Sequence, residues 1–164
     1  MARVGPHERV DLKCLVRFSP QPNVQTRRAR LFSLKRKASK HAVNRKLFIV
    51  EDHPAVRQGI VETINREAGL CVCGEADDVQ PALAAIETSQ PDLVLADIQL
   101  KSSNGLDLIR ALHERFPSLP VIAMTMFDPV RYERQARAAG AVAFIVKQEG
   151  VDKMLQVIRD VVSR

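Results

Sequence analysis

A doubly wound α/β fold with five parallel strands is predicted for residues 45–164, on the basis of two patterns. From Lys46 onward, short apolar runs alternate with amphipathic segments, which is typical of βαβ units. The apolar runs are continuous, as expected for parallel strands that helices cover on both faces. Five such pairs indicate a (βα)5 unit, and right-handed crossovers favour the strand order 2-1-3-4-5.

The predicted strands and helices alternate along the chain. Apolar runs predict strands at residues 47–50, 70–74, 93–96, 121–124 and 142–146. Apolar residues three or four positions apart predict helices at residues 54–66, 79–88, 106–116, 129–139 and 151–162. The fourth helix is expected to begin with Asp128 as its N-cap and Pro129 as its first residue, and to end at Gly140.

Two of these helices carry rows of residues that bear on partner binding. The fourth helix has a basic row formed by Arg131, Arg134 and Arg137. This row is either a surface for a partner or a solvated helix face. On the last helix, the row predicted to face the core consists of Val151, Leu155, Ile158 and Val162. A second apolar row is either part of a wide core face or a dimer surface, and the second is favoured because a terminal helix is covered on one side only. This row consists of Met154, Val157 and Val161.

The first 44 residues differ in composition from the rest of the chain. They contain 11 Lys and Arg against 2 Asp and Glu, whereas residues 45–164 contain 14 against 17. The segment lacks a sustained helical period and is predicted to be a poorly ordered basic extension, or to precede a true start nearer Val43. A nucleic-acid partner is disfavoured, since the extension has only Phe18 and Phe32 as aromatic residues and no recognisable DNA-binding motif.

The chain shows no pattern of a membrane or secreted protein. Its apolar runs are far shorter than the roughly 18 residues that a membrane-spanning helix needs, and its start lacks the apolar stretch of a signal peptide. The three cysteines lack metal-ligand spacing and are predicted to be buried, reduced thiols. A cytoplasmic location without membrane contact is therefore expected.

Polar side chains stand at the carboxyl ends of four predicted strands. Glu51 and Asp52 follow the first strand, Asp97 the third, Thr125 the fourth and Lys147 the fifth. The carboxyl ends of parallel strands meet at one edge of the sheet, where these side chains are expected to converge. Three carboxylates held together repel one another unless a cation lies among them, and hard oxygen ligands with open positions favour Mg²⁺.

The same side chains are suited to receiving a phosphoryl group. The Asp97 carboxylate would be the nucleophile and would form an aspartyl phosphate. Lys147 would pair with one phosphoryl oxygen and Thr125 would hydrogen-bond another, so that positioning and electrostatics supply most of the catalysis. A lone acid after a strand is ordinarily a cap or loop residue. Here, however, Asp52, Thr125 and Lys147 follow the other predicted strands in the order that a shared site requires, which favours a functional role for Asp97.

Four ordered motifs carry a family resemblance: LFIVEDHP, LVLADIQLKSSNGLDL, PVIAMT and GAVAFIVKQ. The stretch from residue 45 to residue 164 resembles the receiver domain of two-component response regulators, a CheY-like domain with a flavodoxin-like sheet. The sequence EDHP, and a lysine followed by Gln148 where proline is common, are most similar to receivers of the NarL/FixJ type.

The resemblance implies a role for each site residue. Asp97 would be the phosphoacceptor, and Mg²⁺ would be held by Glu51, Asp52, Asp97 and the backbone carbonyl of Gln99. Thr125 and Phe144 would be the switch residues, and Lys147 would sense the phosphoryl group. Phosphorylation would draw Thr125 towards the phosphoryl group and let Phe144 turn inward, which would bias a surface formed by the fourth helix, fifth strand and fifth helix.

The resemblance also implies partners. The phosphoryl donor would be a sensor histidine kinase or a histidine phosphotransfer protein, and the signal would pass to a downstream protein. A homodimer through the face from the fourth to the fifth helix is left open. The domain would not be an enzyme, although it would assist its own phosphoryl transfer and hydrolysis. No output domain is recognisable before residue 164.

Three positions depart from the usual receiver pattern. Lys101 and Gln148 stand where proline is common, and Met126 stands where a small residue is usual. None of these changes removes a catalytic group, but Met126 would narrow access to the phosphoryl group, and the flanking residues Gln99 and Phe127 would alter the lifetime of the aspartyl phosphate.

Three other functions remain to be weighed against the receiver interpretation. The chain could be the receiver alone of a NarL/FixJ-type transcription regulator, with DNA bound by another domain or by the basic extension. It could be an aspartyl phosphatase or phosphotransferase, which fits poorly because such enzymes place the nucleophile after the first strand. A receiver that is never phosphorylated is disfavoured by the complete set of site residues.

Overall fold

The computed structural model describes residues 44–127 and 129–164. The strands are β1 Arg45–Val50, β2 Leu70–Ala76, β3 Leu93–Asp97, β4 Val121–Thr125 and β5 Ala143–Val146. The helices are α1 Pro54–Arg66, α2 Val79–Ser89, α3 Gly105–Arg115, α4 Pro129–Ala138 and α5 Val151–Val162, with a short 3₁₀ turn at Lys147–Glu149. None of the helices in these ranges has the length and apolar character needed to cross a bilayer. The predictions for residues 1–43 and for the Asp128 cap lie outside the described residues.

The five strands form one parallel sheet in the order β2-β1-β3-β4-β5, which confirms the predicted fold and strand order. The predicted bounds of α1 and α5 match the observed ones, and the other predicted bounds differ from them by at most two residues. Asp97 and Thr125 are the last residues of β3 and β4 and do not follow them, because Asp97 pairs with Met124 and Thr125 with Val146. Ladder pairing depends on the backbone and so continues past the point where the apolar run ends.

The two faces of the sheet bury separate sets of apolar side chains, because successive strand residues point to opposite faces. In β1, Phe48 and Val50 belong to one core cluster, and Leu47 and Ile49 belong to the other. Helices α2, α3 and α4 cover the first cluster, and α1 and α5 cover the second. Since a fully buried Leu or Ile contributes about 1.5–3 kcal/mol, this two-sided burial holds the strands, and with them the carboxyl edge of the sheet, in place.

Helix α4 ends as the sequence predicts, at a glycine. Gly140 has a φ of 110°, a backbone conformation in which a side chain is strained. The turn allows the Ala141 N–H to donate to the Ala136 carbonyl at 2.9 Å, which closes the helix in the manner of a Schellman motif. The chain thereby turns sharply into β5 and brings Lys147 to the carboxyl edge of the sheet.

The interpretation of helix α5 is wrong in one respect. The row that we interpreted as a dimer surface is turned towards the sheet: Met154 is buried, and Val157 and Val161 pack against the cluster that contains Ile158. Val151, predicted to face the core, is exposed. Ile158 and Val162 of the predicted core row also lie in or against this cluster, so both rows contribute to the core and only Val151 departs clearly from its row. The rotation of α5 on the sheet, which the spacing of the residues does not specify, decides how far each row is covered.

The two described cysteines also differ from their prediction. Cys71 and Cys73, neither of which forms a disulfide, lie on the edge strand β2, and both are half-buried where full burial was expected. An edge strand has a neighbour on one side only, so its side chains are less completely covered than those of the central strands.

Candidate functional site

Four polar side chains are buried at the carboxyl edge of the sheet. They are Glu51, Asp52, Asp97 and Thr125, each at most 7% exposed. Strands β1, β3 and β4, which carry or directly precede these residues, lie next to one another in the sheet. A buried carboxylate is costly unless charges or hydrogen bonds compensate for it, so three of them together indicate a site for a cationic or phosphorylated ligand more than a device for stability.

Lys147 joins two of these carboxylates. Its ammonium group donates to Asp97 Oδ2 at 2.6 Å and also to Glu51 Oε2. Its side chain is only 9% exposed, so both ion pairs are shielded from water. Glu51 Oε1 additionally accepts the His53 N–H at 3.2 Å. The structure therefore brings together three residues that the sequence places in different motifs, separated by as many as 96 positions.

Asp52 and His53 complete the acidic cluster. Nδ1 of His53 lies 3.0 Å from Asp52 Oδ1, and one ligand atom from each of Glu51, Asp52 and His53 lies within 4.8 Å of the others. His53 directly precedes Pro54, the first residue of α1. Its contact with the acids was not predicted, and no local pattern in the sequence signals it.

The donor set fits a hard divalent cation. Glu51, Asp52 and Asp97 contribute carboxylate oxygens at one edge, and one ammonium, that of Lys147, balances only part of their charge. Oxygen ligands of this kind, together with open positions for water and phosphate, are what Mg²⁺ prefers. The cluster of Glu51, Asp52 and His53 could thus bind a metal ion.

Thr125 and Phe144 flank the carboxylates. Thr125 ends β4, one residue beyond the partner of Asp97 in the sheet, and its Oγ1 accepts the Phe127 N–H at 3.1 Å. Phe144, on the neighbouring strand β5, is half-buried and packs against the core cluster on the α4 side. The two residues proposed as a switch therefore lie on adjacent strands.

The loop after β3 is held close against Asp97. Gln99 donates its backbone N–H to Asp97 Oδ1 at 3.1 Å, and Gly105 donates its own to the Ile98 carbonyl at 2.9 Å. A Cβ on Gly105 would lie 1.8 Å from the Asp97 carbonyl oxygen. This close approach of two backbone segments requires glycine at position 105.

A second contact ties the same loop to helix α2. Asp78 caps α2 by accepting the Val79 N–H at 2.8 Å, and the same oxygen accepts the Ser103 hydroxyl. The Ser103 hydrogen bond, followed by that of Val79, lowers the pKa of Asp78 below its ordinary value of 3.8. Because both bonds favour the carboxylate form, the cap and the loop stabilise each other.

Three further contacts around the site were not predicted from the sequence. The Gln99 side chain donates to the Tyr132 hydroxyl at 3.3 Å, and the Gln148 side chain donates to the Met126 carbonyl at 3.1 Å. Arg57 donates to the Glu51 carbonyl at 2.6 Å. Each involves a side chain that reaches a different element, so periodicity gives no signal for it. The motif comparison had marked Gln99, Met126 and Gln148, but not these contacts.

The fold and the edge cluster together define an α/β domain with a buried acidic site at the carboxyl edge of its sheet, and comparison with known proteins identifies the family. The family model of the response regulator receiver domain matches residues 47–159. The chain belongs to this family and is a receiver domain of two-component signalling, as the sequence motifs indicated.

Individual relatives agree with this assignment. The DNA-binding transcriptional activator DevR/DosR of Mycobacterium tuberculosis is 33% identical over 116 residues, which are 71% of this chain and 54% of that protein. The response regulator GacA of Pseudomonas aeruginosa is 32% identical over the same shares of the two chains. The chain thus spans about half the length of these curated relatives.

Solved structures agree as well. A two-component response regulator of the LuxR family from Aurantimonas sp. SI85-9A1 superposes with a TM-score of 0.70 at 26% identity, covering 73% of this chain and 86% of that one. The solved structure therefore agrees in fold with the family that the sequence relatives indicate.

Proposed function

We propose that this receiver domain accepts a phosphoryl group on Asp97 from a phosphohistidine, carried by a sensor histidine kinase or a histidine phosphotransfer protein. The observation that supports this most strongly is the buried Lys147 ammonium, which bridges Asp97 and Glu51. A bridging ammonium holds the Asp97 carboxylate in one orientation and places a fixed positive charge where a transferred phosphoryl oxygen would arrive.

The proposed transfer is a displacement at phosphorus. An Asp97 carboxylate oxygen attacks the phosphorus atom, the bond from phosphorus to the donor imidazole breaks, and the imidazole nitrogen keeps the electron pair. Lys147, already 2.6 Å from Asp97 Oδ2, pairs with a phosphoryl oxygen. The Thr125 hydroxyl, now accepting the Phe127 N–H, can rotate to donate to another.

The metal site of this proposal consists of Glu51, Asp52, Asp97 and the backbone carbonyl of Gln99. The first three are buried at the same edge, and the Gln99 backbone already contacts Asp97. Bound there, Mg²⁺ would neutralise charge on the phosphoryl oxygens. Glu51 and Asp97, which now pair with Lys147, would then contact Mg²⁺ as well, and their ion pairs with Lys147 would weaken.

The output side of the proposal is a switch through Thr125 and Phe144. Movement of Thr125 towards the phosphoryl group would free space into which Phe144, now half-buried, can turn further inward. That rearrangement would change the face formed by α4, β5 and α5, which includes the exposed Arg131, Arg134 and Arg137. We propose this face as the contact for a downstream protein or a second copy of the chain.

The domain is proposed to signal and not to turn over a substrate, although it would assist its own phosphorylation and hydrolysis. The cytoplasmic location predicted from the sequence remains part of this proposal. A transcriptional output is the second candidate, and one observation favours it: the relative DevR/DosR is named a DNA-binding transcriptional activator. In that case the receiver would control DNA binding by another part of the protein.

Incubation with a small phosphodonor and Mg²⁺, followed by mass measurement, tests the proposal. Wild type is expected to gain the mass of one phosphoryl group, and Asp97→Ala is expected to gain none. Asp107→Ala, at an exposed position of α3, is the matched control and should behave like wild type. A phosphoryl adduct that persists in Asp97→Ala would overturn the assignment of the phosphoacceptor.

A further inference from the structure

Arg57 connects three elements beside the acidic pair. It projects from the first turns of α1, and its Nη1 donates to the Glu51 carbonyl at 2.6 Å. Its Nε donates to Glu75 Oε2, near the end of β2, at 3.2 Å. The side chain is 20% exposed. One guanidinium therefore ties the end of β1 to α1 and to the neighbouring strand.

The contact with the Glu51 carbonyl fixes the backbone of the acidic pair. The Glu51 N–H donates to the Ala76 carbonyl at 3.1 Å, so both backbone polar groups of Glu51 have partners. The Ala76 contact holds the peptide before Glu51, and the Arg57 contact holds the carbonyl of the next peptide, between Glu51 and Asp52. Since the two carboxylates project from that peptide, its orientation determines where their oxygens lie.

We propose that Arg57 is a positioning residue for the metal site, and that it sets the Mg²⁺ affinity of the domain by holding the Glu51–Asp52 peptide. The inference rests on the proposed metal site. Arg57 contacts no carboxylate of that site; it acts through the main chain. Partners one step removed from the ligands commonly change metal affinity by about 10–100-fold when they are lost.

The arrangement requires arginine in particular. Its planar fork presents Nε and Nη1 to two different acceptors at once, here Glu75 and the Glu51 carbonyl. A lysine offers one ammonium on a flexible stem and would satisfy one of the two. Arg57→Lys is therefore expected to preserve the charge near the site and to lose the orientation of the peptide.

A purely structural explanation would treat Arg57 and Glu75 as a surface ion pair. Glu75 is 50% exposed, and exposed pairs contribute little to stability. Such a pair is present on the same helix, where Arg66 donates to Glu62 at 3.3 Å. Arg66→Ala removes an arginine from α1 without touching the acidic pair and is the matched control.

Metal binding by the full chain separates these explanations without recourse to phosphorylation. Electron paramagnetic resonance measures free Mn²⁺, and competition by Mg²⁺ for the same site gives the dissociation constant of Mg²⁺. The thermal midpoint of unfolding is recorded for the same samples. Arg57→Ala is expected to weaken Mg²⁺ binding about tenfold or more, Arg57→Lys to weaken it by several-fold, and Arg66→Ala to leave it unchanged. In phosphorylation assays of Arg57→Ala, the half-saturating concentration of Mg²⁺ should rise, and the half-saturating concentration of the phosphodonor should stay the same.

Each alternative outcome is decisive. If Arg57→Ala lowers the thermal midpoint but keeps the wild-type Mg²⁺ dissociation constant, Arg57 is merely structural and the inference is overturned. If Arg57→Ala does not fold, Arg57→Lys decides, and wild-type affinity in that variant would likewise overturn it. If wild type itself binds no divalent cation, the proposed metal site fails and the inference fails with it, a result distinct from an unchanged variant.

Discussion

The interior of β3 and its carboxyl end are buried to a similar degree, yet different forces hold them. Leu93–Asp97 is buried along its whole length, but its first four residues pack between two layers of helices, whereas Asp97 is held by the Lys147 ammonium and the Gln99 N–H. Apolar burial is non-directional and tolerates changes that conserve volume. The charged end depends on individual partners, so loss of one partner leaves another buried charge uncompensated.

This difference predicts the largest effect for loss of the bridging ammonium. Lys147→Met leaves Glu51 and Asp97 buried without their shared cation, and breaking a buried pair in this way costs about 3–5 kcal/mol of unfolding free energy. Urea unfolding measures the loss. Since a ligand that binds the folded state stabilises it, Mg²⁺ should restore part of the stability of the variant.

Lys153→Met serves as the control for that experiment, because Lys153 is exposed on α5. It should unfold like wild type with or without Mg²⁺. Wild-type stability of Lys147→Met in the absence of Mg²⁺ would show that the carboxylates are not held by this ammonium.

A smaller effect is expected at Gly105. In Gly105→Ala, the added Cβ would overlap the Asp97 carbonyl oxygen, so the loop must shift, at a cost of about 1–3 kcal/mol. Urea unfolding gives the stability, and phosphoryl uptake from a small donor should fall as well because the same loop carries Gln99. In Gly59→Ala, on helix α1, the Cβ would meet nothing within 4 Å, and replacing glycine in a helix is expected to be neutral or stabilising. Equal behaviour of the two variants would argue against the close approach.

Most of the fold can be predicted from the sequence because its signals are local and periodic. The apolar runs of β1 and β3 mark strands that are buried on both faces, and all five strands are found where such runs occur. The rotation of α5 could not be predicted, because the rows of Val151 and Met154 are adjacent on the helix, and packing on the sheet buries Met154 together with Ile158 while it leaves Val151 exposed.

Part of the candidate site could likewise be predicted from the sequence, and part could not. Parallel strands share one carboxyl edge, so the proximity of Glu51, Asp97 and Lys147 follows from the predicted topology. The contacts that support them, such as Arg57 on the Glu51 carbonyl and Gln148 on the Met126 carbonyl, join side chains to backbone atoms in other elements. Neither spacing nor residue type indicates which carbonyl such a side chain reaches.

The smallest predicted effect concerns acid pH. The pKa of Asp78 is lowered in the folded protein by the Ser103 hydroxyl, so its carboxylate form favours folding. That stabilisation is fully present above the ordinary value of 3.8 and is lost as the pH falls through the lowered pKa. As the pH is lowered from about 5 through the lowered pKa of Asp78, the urea midpoint should fall less steeply for Ser103→Ala than for wild type. Ser102→Ala, next in the same loop, should keep the wild-type slope, and a wild-type slope in Ser103→Ala would rule out this coupling.

The central claim is that the end of β3 performs the chemistry and its interior supplies the stability. It is tested most directly by measuring phosphoryl uptake and unfolding free energy in the same preparations of Asp97→Ala and Leu93→Ala. Leu93→Ala, at the buried start of the strand, should lose about 2–5 kcal/mol and still take up one phosphoryl group in its folded fraction. Asp97→Ala should take up none while remaining folded, because Lys147 keeps Glu51 as its partner. A phosphoryl adduct on Asp97→Ala, or its absence from folded Leu93→Ala, would contradict the account.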